Sequence, residues 1–177
     1  MTRGPRVKGK QKKVLAHTRT KAPNQPRKPK AIPLTDAERA GKAKDEHGRA
    51  TLHMNEARRL APWGQAPNAC LHSINYAMYH AATAVLFLHG GIGPSRAVPE
   101  SHTHVLGYFG QLAAKTGAEA EAAATLLANA KAAREEFDDG SIAGASPEEA
   151  RAAFEDARQF IPICEQHLLL PPIVGDV

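Results

Sequence analysis

The chain has 177 residues and a formal net charge of +5, so its size is that of a single domain with one tail. Only 5% of its residues are aromatic, alanine is abundant after Ala113, and no stretch alternates with a period of two, which favours packed helices over a sheet. No apolar run approaches the roughly 20 residues that span a bilayer, and the N-terminus lacks an apolar signal core. The composition therefore argues against a membrane protein and predicts a cytoplasmic, all-α protein.

The positive charge is concentrated at the N-terminus, where residues 1–30 contain eleven Lys or Arg and no acidic residue. The remaining 147 residues contain twelve basic and eighteen acidic side chains. Residues 1–33 also contain five prolines and few large apolar side chains, so they cannot offset the entropy of ordering, and we predict a disordered tail. This tail is either an electrostatic arm for nucleic acid or another polyanion, or only a solubilising segment. Its candidate nucleic-acid-binding residues are Arg3, Arg6, Lys8, Lys10, Lys12, Lys13, Arg19, Lys21, Arg27, Lys28 and Lys30.

We place the folded domain at residues 34–172, and its first helix should begin at a capping box formed by Thr35 and Glu38. The helix should run to about Ala61, either without interruption or with a break at Gly48. The residues expected on its inner side near the end are Leu52, Glu56, Ala57 and Leu60. The following segment, residues 62–67, contains Pro and Gly and is predicted to be a turn.

Residues 68–90 are the most apolar segment of their length and should form one central helix. Spacings of three and four place apolar residues along a stripe that should face the core. These residues are Leu71, Ile74, Met78, Ala81, Val85 and Leu88. A second stripe, which we expect to lie against a second copy of the chain, consists of Ser73, Tyr76, His80, Thr83 and Phe87.

A third and a fourth helix are predicted after a loop rich in Gly and Pro at residues 90–99. The third helix should span residues 101–117, with Ser101 as its N-cap and Gly117 at its C-terminus. The fourth helix should span residues 118–137. The residues expected on the inner faces of these two helices are Val105, Phe109, Leu112, Leu126, Leu127, Ala130, Ala133 and Phe137.

The fifth helix has the clearest start in the chain, with Ser146 as cap, Pro147 at the first helical position and Glu149 closing a capping box. Pro162 should either kink this helix or mark the point where it restarts. The residues expected to face inward are Ala150, Ala153, Phe154, Ala157, Phe160, Ile161, Cys164 and Leu168. Short connections between the predicted helices indicate an antiparallel bundle of four to five helices.

Three sequence blocks occur in an order that is typical of one family. Residues 75–90 read NYAMYHAATAVLFLHG, residues 101–117 read SHTHVLGYFGQLAAKTG, and residues 134–161 contain an acidic turn followed by a Ser-Pro-Glu-Glu-Ala helix start. These blocks resemble the second-helix signature, the Ser-His segment and the last helix of small prokaryotic HEPN proteins (higher eukaryotes and prokaryotes nucleotide-binding). The resemblance covers about residues 50–170.

The resemblance implies a helical bundle that usually forms a homodimer through the signature helix. Many members of the family are metal-independent ribonucleases, often toxins that are neutralised by a nucleotidyltransferase-like antitoxin, and others only bind nucleotide or RNA. The family therefore implies RNA or nucleotide as the ligand, a toxin–antitoxin or defence setting, and no cofactor or metal.

The ribonucleases of this family carry an Arg, then four to six residues, then a His on the signature helix. The His can shuttle a proton between a ribose 2′-hydroxyl and the leaving 5′-oxygen, and the Arg supplies a permanent charge to the phosphate. The resemblance makes His80 the candidate catalytic residue, but Ser73 occupies the usual Arg position and residues 62–95 contain no Arg. Arg134, Arg96, the tail or a partner subunit could supply the missing charge.

His80 is open to three interpretations: a satisfied histidine in an apolar interface, a ligand contact in a nucleotide or RNA cleft, or a general base. Tyr76 and Tyr79 are either packing aromatics or platforms for nucleobases. Together with Ser73 and Arg134 they are the candidate substrate-binding residues. The competing functional class is a non-catalytic interaction or structural protein that dimerises through residues 68–90 and uses the tail as a polyanion tether.

Two further patterns concern metal and redox chemistry. The side chains of His102, His104, Cys164 and His167 include metal-ligand types, but the chain has no close CxxC pair, so we expect no metal site. Cys70 and Cys164 lie among apolar neighbours and are expected to be reduced.

Overall fold

The computed structural model describes residues 34–61, 66–89, 101–138 and 144–170. Within these ranges the chain forms five helices and no strand, arranged as an antiparallel bundle, which confirms the predicted all-α class. The helices are α1 (Asp36–Leu60), α2 (Pro67–Leu88), α3 (His102–Thr116), α4 (Ala118–Asp138) and α5 (Pro147–His167). The predicted tail at residues 1–33, residues 62–65 of the predicted turn at 62–67, and the loop at 90–99 lie outside the described residues.

Helices α1 and α5 begin at the capping boxes that the sequence predicts. The Thr35 hydroxyl accepts from the backbone N–H of Glu38, and the Glu38 carboxylate accepts from the N–H of Thr35 at 2.7 Å. Ser146 and Glu149 form the same reciprocal pair. These hydrogen bonds favour the charged carboxylate, so the pKa values of both glutamates lie below their usual range. The hydroxyl of Ser101 caps α3, as predicted.

Helix α2 is the central element of the bundle and packs against α1, α3, α4 and α5, most extensively against α1. Its apolar stripe is buried up to Val85, and Leu88 at its end is 38% exposed. The second stripe is covered by the chain itself: Ser73, Thr83 and Phe87 are each at most 3% exposed. These apolar and small residues are therefore buried within one chain, without a second copy against this face.

The inner face of α1 agrees with the prediction only in part: Ala57 is buried and Leu60 packs against the core, but Leu52 and Glu56 are exposed. The buried residues of α1 are Ala43, Ala50, Met54 and Ala57, whereas Leu52 is 71% exposed. Small alanine side chains allow the axes of α1 and α2 to approach each other closely, and the rotation that buries them turns Leu52 outward. Helix α1 also continues through Gly48, so of the two predicted alternatives the uninterrupted helix is correct.

Helix α5 is continuous through Pro162, so of the two alternatives, a kink or a restart, the restart does not occur. It contributes Phe160 to the core, where the ring centroids of Phe160 and Phe109 lie 5.7 Å apart. Cys70 and Cys164 are both reduced and buried, as expected, and burial raises the pKa of each thiol, which makes both of them poor nucleophiles.

Among the described residues, no helix combines the length and the apolar character that crossing a bilayer requires.

Candidate functional site

A cluster of histidine and tyrosine rings lies where α1, α2 and α3 meet. Adjacent rings are between 3.9 and 5.9 Å apart, measured between their centroids. We call this group the ring cluster; its members are His53, His72, Tyr76, Tyr79, His80 and His102. It is the polar part of a helix interface that is otherwise apolar, and its location makes it the candidate functional site.

His80 is held by a carboxylate from α1. The distance from His80 Nδ1 to Glu46 Oε2 is 2.5 Å, and the side chains of the two residues are only 11% and 15% exposed. The other carboxylate oxygen of Glu46 accepts from Arg49 at 2.8 Å. Burial by itself raises the pKa of Glu46, but the hydrogen bond and charge of His80, together with the charge of Arg49, outweigh it and leave the pKa below the ordinary value. Glu46 is therefore a charged acceptor that fixes the imidazole.

The second ring nitrogen of His80 is available for chemistry. Nε2 has no hydrogen-bond partner among the described residues. It is not one of the buried polar atoms that lack a partner, since Asn75 Oδ1 is the only such atom in the described part of the chain. Nε2 therefore reaches solvent. A carboxylate on Nδ1 selects the tautomer in which Nε2 carries a lone pair, which is the form that a general base requires. The arrangement of Glu46 and His80 thus has the geometry of an oriented base.

The ring of His53 lies parallel to the ring of His80. Their centroids are 5.6 Å apart and their planes differ by 2°. Burial, followed by the positive charge that His80 carries when protonated, lowers the pKa of His53, so His53 is uncharged at neutral pH. His53 Nδ1 lies 3.5 Å from a carboxylate oxygen of Glu56, and the same oxygen accepts from the Ser73 hydroxyl at 2.8 Å.

Tyr79 connects His80 to the first turn of α3. The rings of Tyr79 and His102 are stacked, with centroids 3.9 Å apart and planes 9° from parallel, and the planes of Tyr79 and His80 are inclined by 71°. Burial raises the pKa of the Tyr79 hydroxyl and lowers that of His102, with the charge of Arg134 adding to the effect on His102. Both rings are therefore uncharged at neutral pH and form a flat apolar surface with polar edges.

Arg134 of α4 supplies a permanent positive charge to this site. Its guanidinium carbon lies 5.2 Å from the centroid of the Tyr76 ring, within the range of a cation–π interaction. The Tyr76 ring in turn lies 5.9 Å from His80 and 4.6 Å from His72. Helix α2 itself has no arginine. The guanidinium at Tyr76 therefore comes from a different helix, α4.

The five candidate residues proposed from the sequence are all placed in or beside the ring cluster. Tyr76, Tyr79 and His80 are members, Ser73 is linked to it through Glu56, and Arg134 covers Tyr76. Arg96 lies outside the described residues.

Sequence reasoning missed the part of the site that α1 contributes and the ring of His102. The polar residues that α1 directs towards α2 recur every three or four positions: Glu46, Arg49, His53 and Glu56. This spacing is visible in the sequence and indicates one helix face. It does not reveal which element of the fold that face meets, because the partner residue is 34 positions away.

Among the described residues, no group of three or more His, Cys, Asp or Glu side chains is arranged to hold a metal ion. The residues considered for zinc have other surroundings: His102 stacks on Tyr79, His167 Nε2 pairs with the Glu119 carboxylate, and Cys164 is fully buried.

The family model of the HEPN domain matches residues 44–167 of this chain. The match begins in the third turn of α1 and ends with α5, so it includes every member of the ring cluster as well as Glu46 and Arg134. No curated protein and no solved structure matches the chain.

Proposed function

This chain belongs to the HEPN domain family, which is associated with nucleotide- and RNA-related functions, and we propose that its ring cluster binds RNA and cleaves it without a metal ion. The observation that supports this proposal most directly is the hydrogen bond between Glu46 and His80. An oriented imidazole with one accessible nitrogen is the minimum requirement for moving the proton of a ribose hydroxyl.

The proposed reaction is an internal transesterification. His80 Nε2 accepts the proton of a ribose 2′-hydroxyl, and the 2′-oxygen then attacks the adjacent phosphorus. The bond from phosphorus to the 5′-oxygen breaks, and the proton carried by His80 passes to that oxygen. The products are a 2′,3′-cyclic phosphate and a free 5′-hydroxyl. Glu46 holds the imidazole in place and stabilises its protonated form during the step.

Arg134 is proposed to replace the arginine that the family usually carries on the signature helix. Ser73, which occupies that position here, is 2% exposed and donates to Glu56, so it is engaged in the helix interface. A guanidinium from α4 above Tyr76 could meet the phosphate from the opposite side of the cluster, where negative charge develops in the transition state. Tyr76 and Tyr79 would then provide the faces on which a splayed base stacks.

The biological setting remains a prediction. A toxin role in the cytoplasm, a nucleotidyltransferase-like antitoxin and a homodimer follow from the family alone. The most exposed residues of α2 are Asn68, Ala69, His72 and Leu88, and Tyr76, Tyr79 and His80 between them are partly exposed.

The test is an RNA cleavage assay in EDTA with the wild-type chain, His80→Ala and Glu46→Gln. We expect wild type to produce 2′,3′-cyclic phosphate ends and His80→Ala to be slower by about 100-fold or more, because general acid–base catalysis contributes about that much. Glu46→Gln keeps the shape of the side chain but removes the charge that stabilises imidazolium, so its rate should fall between the two.

The matched control is His104→Ala, which removes an exposed histidine on α3 that lies outside the ring cluster. Its cleavage rate should equal that of wild type. Intact RNA with the wild-type chain, or equal cleavage by wild type and His80→Ala, would contradict the nuclease proposal.

A further inference from the structure

A groove runs along α1 at the edge of the ring cluster. Its volume is about 490 Å³, within the range of roughly 300–1,000 Å³ that is typical of small-molecule sites. The residues that line it span about three helical turns; they are Arg49, Leu52, His53, Asn55, Glu56, Arg59 and Leu60. The groove includes neither His80 nor Glu46, and His53 is the one ring-cluster residue that lines it.

The groove combines two arginines with an exposed apolar side chain. Arg59 is exposed and has no ion-pair or hydrogen-bond partner among the described residues, whereas Arg49 is paired with Glu46. Leu52, between them, is 71% exposed and is one of only three large apolar side chains that are exposed in the described part of the chain. An unpaired guanidinium beside an apolar side chain matches the two parts of a nucleotide, its phosphate and the face of its base.

Two shared residues connect the groove to the ring cluster. His53 lines the groove and stacks on His80, and Glu56 lines the groove and accepts from Ser73 on α2. A strand bound across His80 could therefore continue into the groove without leaving the protein surface. Ten residues of helix separate Arg49 from Arg59, which corresponds to about 15 Å, a length that suits two or three nucleotides.

We propose that the groove on α1 binds the single-stranded RNA segment next to the cleaved phosphodiester, with Arg59 contacting a phosphate and Leu52 packing on a base. This inference rests on the proposed function of the ring cluster and names where its substrate extends. The recognition is of backbone charge and base face, so it should show little preference among the four bases. An acidic protein segment is the competing occupant, and the test below separates the two.

The test measures binding of a fluorescein-labelled trinucleotide of 2′-O-methyl uridine by fluorescence anisotropy, with the full chain. The 2′-O-methyl group prevents cleavage, and the two internucleotide phosphates keep the contribution of the cationic tail small. Arg59→Ala should weaken binding about tenfold, since it removes a charge-assisted contact to phosphate. The slope of log K against log salt should become shallower by about 0.7, the value for one phosphate contact on a single strand.

Matched controls exist for both side chains. Arg151 is an exposed arginine on α5 without a partner among the described residues, and Arg151→Ala should leave affinity and salt slope unchanged. Leu169 is 68% exposed beyond the end of α5, so Leu169→Ala controls for Leu52→Ala, which should weaken binding about threefold.

The outcomes separate the groove from the ring cluster. If wild type binds the probe but Arg59→Ala and Arg151→Ala lose affinity equally, the groove proposal is overturned, while the cleavage assay still decides the role of His80. If wild type cleaves RNA in EDTA and Arg59→Ala raises KM with kcat unchanged, the groove proposal is supported. If wild type neither binds the probe nor cleaves RNA, both proposals are overturned, and an acidic segment becomes the better occupant.

Discussion

The two faces of α2 are buried to a similar degree but are stabilised in different ways. On one face Met78, Ala81 and Val85 are fully buried and need only close packing, because their stabilisation depends on the apolar area removed from water. On the other face Ser73 and His80 each depend on one carboxylate of α1 at 2.8 and 2.5 Å. The first face can tolerate small adjustments in packing, whereas the second depends on the placement of individual atoms.

This difference explains how one helix can both support the core and present a reactive group. Packing of the apolar face fixes α2 in the centre of the bundle. The polar face belongs to the same helix and is therefore held in place as well. Groups on a rigid element can be held close to a reactive geometry, which loops achieve less well. The imidazole of His80 is positioned in this way by the packing on the opposite side of the same helix.

The largest expected effect is the difference in the free energy of unfolding between Met78→Ala and His80→Ala, two substitutions on opposite faces of α2. Met78 is fully buried, so its truncation should lower the free energy of unfolding by about 2–5 kcal/mol. His80→Ala should lower it by only about 1 kcal/mol, because Glu46 keeps its contact with Arg49. The RNA cleavage rate per folded molecule should show the reverse order.

Urea unfolding followed by circular dichroism at pH 7.5 measures the stabilities, and the EDTA cleavage assay measures the rates. Thr125→Ala, at an exposed position of α4, is a suitable reference for a substitution without burial. The comparison of the two faces would fail if His80→Ala destabilised the chain as much as Met78→Ala.

A smaller effect is expected at the boundary between the two faces, where Asn75 lies. Asn75 is 2% exposed and its Oδ1 has no hydrogen-bond partner, although it lines a cavity of about 10 Å³ together with Tyr79, His102 and Lys131. Leaving a buried acceptor unpaired costs about 1–3 kcal/mol, so Asn75→Leu, which keeps the branched shape of the side chain, should stabilise the chain by about 1 kcal/mol.

The same unfolding experiment measures this change, with Asn129→Leu at an exposed position of α4 as the control. A loss of stability for Asn75→Leu would mean that Oδ1 is satisfied in solution, since a cavity of this size accommodates one water molecule. Asn75 would then belong to the polar face instead of the apolar one.

Local signals predicted most of the fold because they depend on residues close together in sequence. The capping boxes at Thr35 and Ser146, the N-cap at Ser101 and the apolar stripe of α2 all follow from spacings of three or four residues. On α1, Ala57 and Leu60 were predicted correctly to face inward, but Leu52 was predicted wrongly because it is more apolar than the alanines that pack against α2. The hydrophobicity of a side chain does not indicate how closely two helices can approach each other, because that depends on side-chain size.

The sequence predicted the site residues on α2 but not those on α1, and this difference has a physical reason. Residues on α2 could be assigned from one segment, so Tyr76, Tyr79 and His80 were named as candidates. Glu46 and His53 could not be connected to them, because contacts between α1 and α2 depend on the rotation of both helices about their axes. Asn75 shows the same limit, since its lack of a partner is a property of three-dimensional packing.

The smallest expected effect is a pH dependence that arises on the polar face alone. The pKa values of His53 and His102 are lowered in the folded chain, first by burial and then by neighbouring positive charges. Between the folded pKa and the ordinary value of about 6.5, the unfolded chain binds more protons, so stability must fall as the pH drops through this window. Urea midpoints at pH 7.5, 6.5 and 5.5 should therefore decrease for wild type.

The contribution of His102 can be isolated by comparing slopes instead of absolute stabilities. His102→Gln should decrease less between pH 7.5 and 5.5 than wild type, because it removes one group whose protonation favours unfolding. His104→Gln, an exposed position in the same turn of α3, should keep the slope of wild type. Identical slopes for wild type and His102→Gln would show that the stacked ring of His102 is as easily protonated in the folded chain as in the unfolded one. The polar face of α2 would then be open to water on the α3 side, and its stability would depend on the α1 contacts alone.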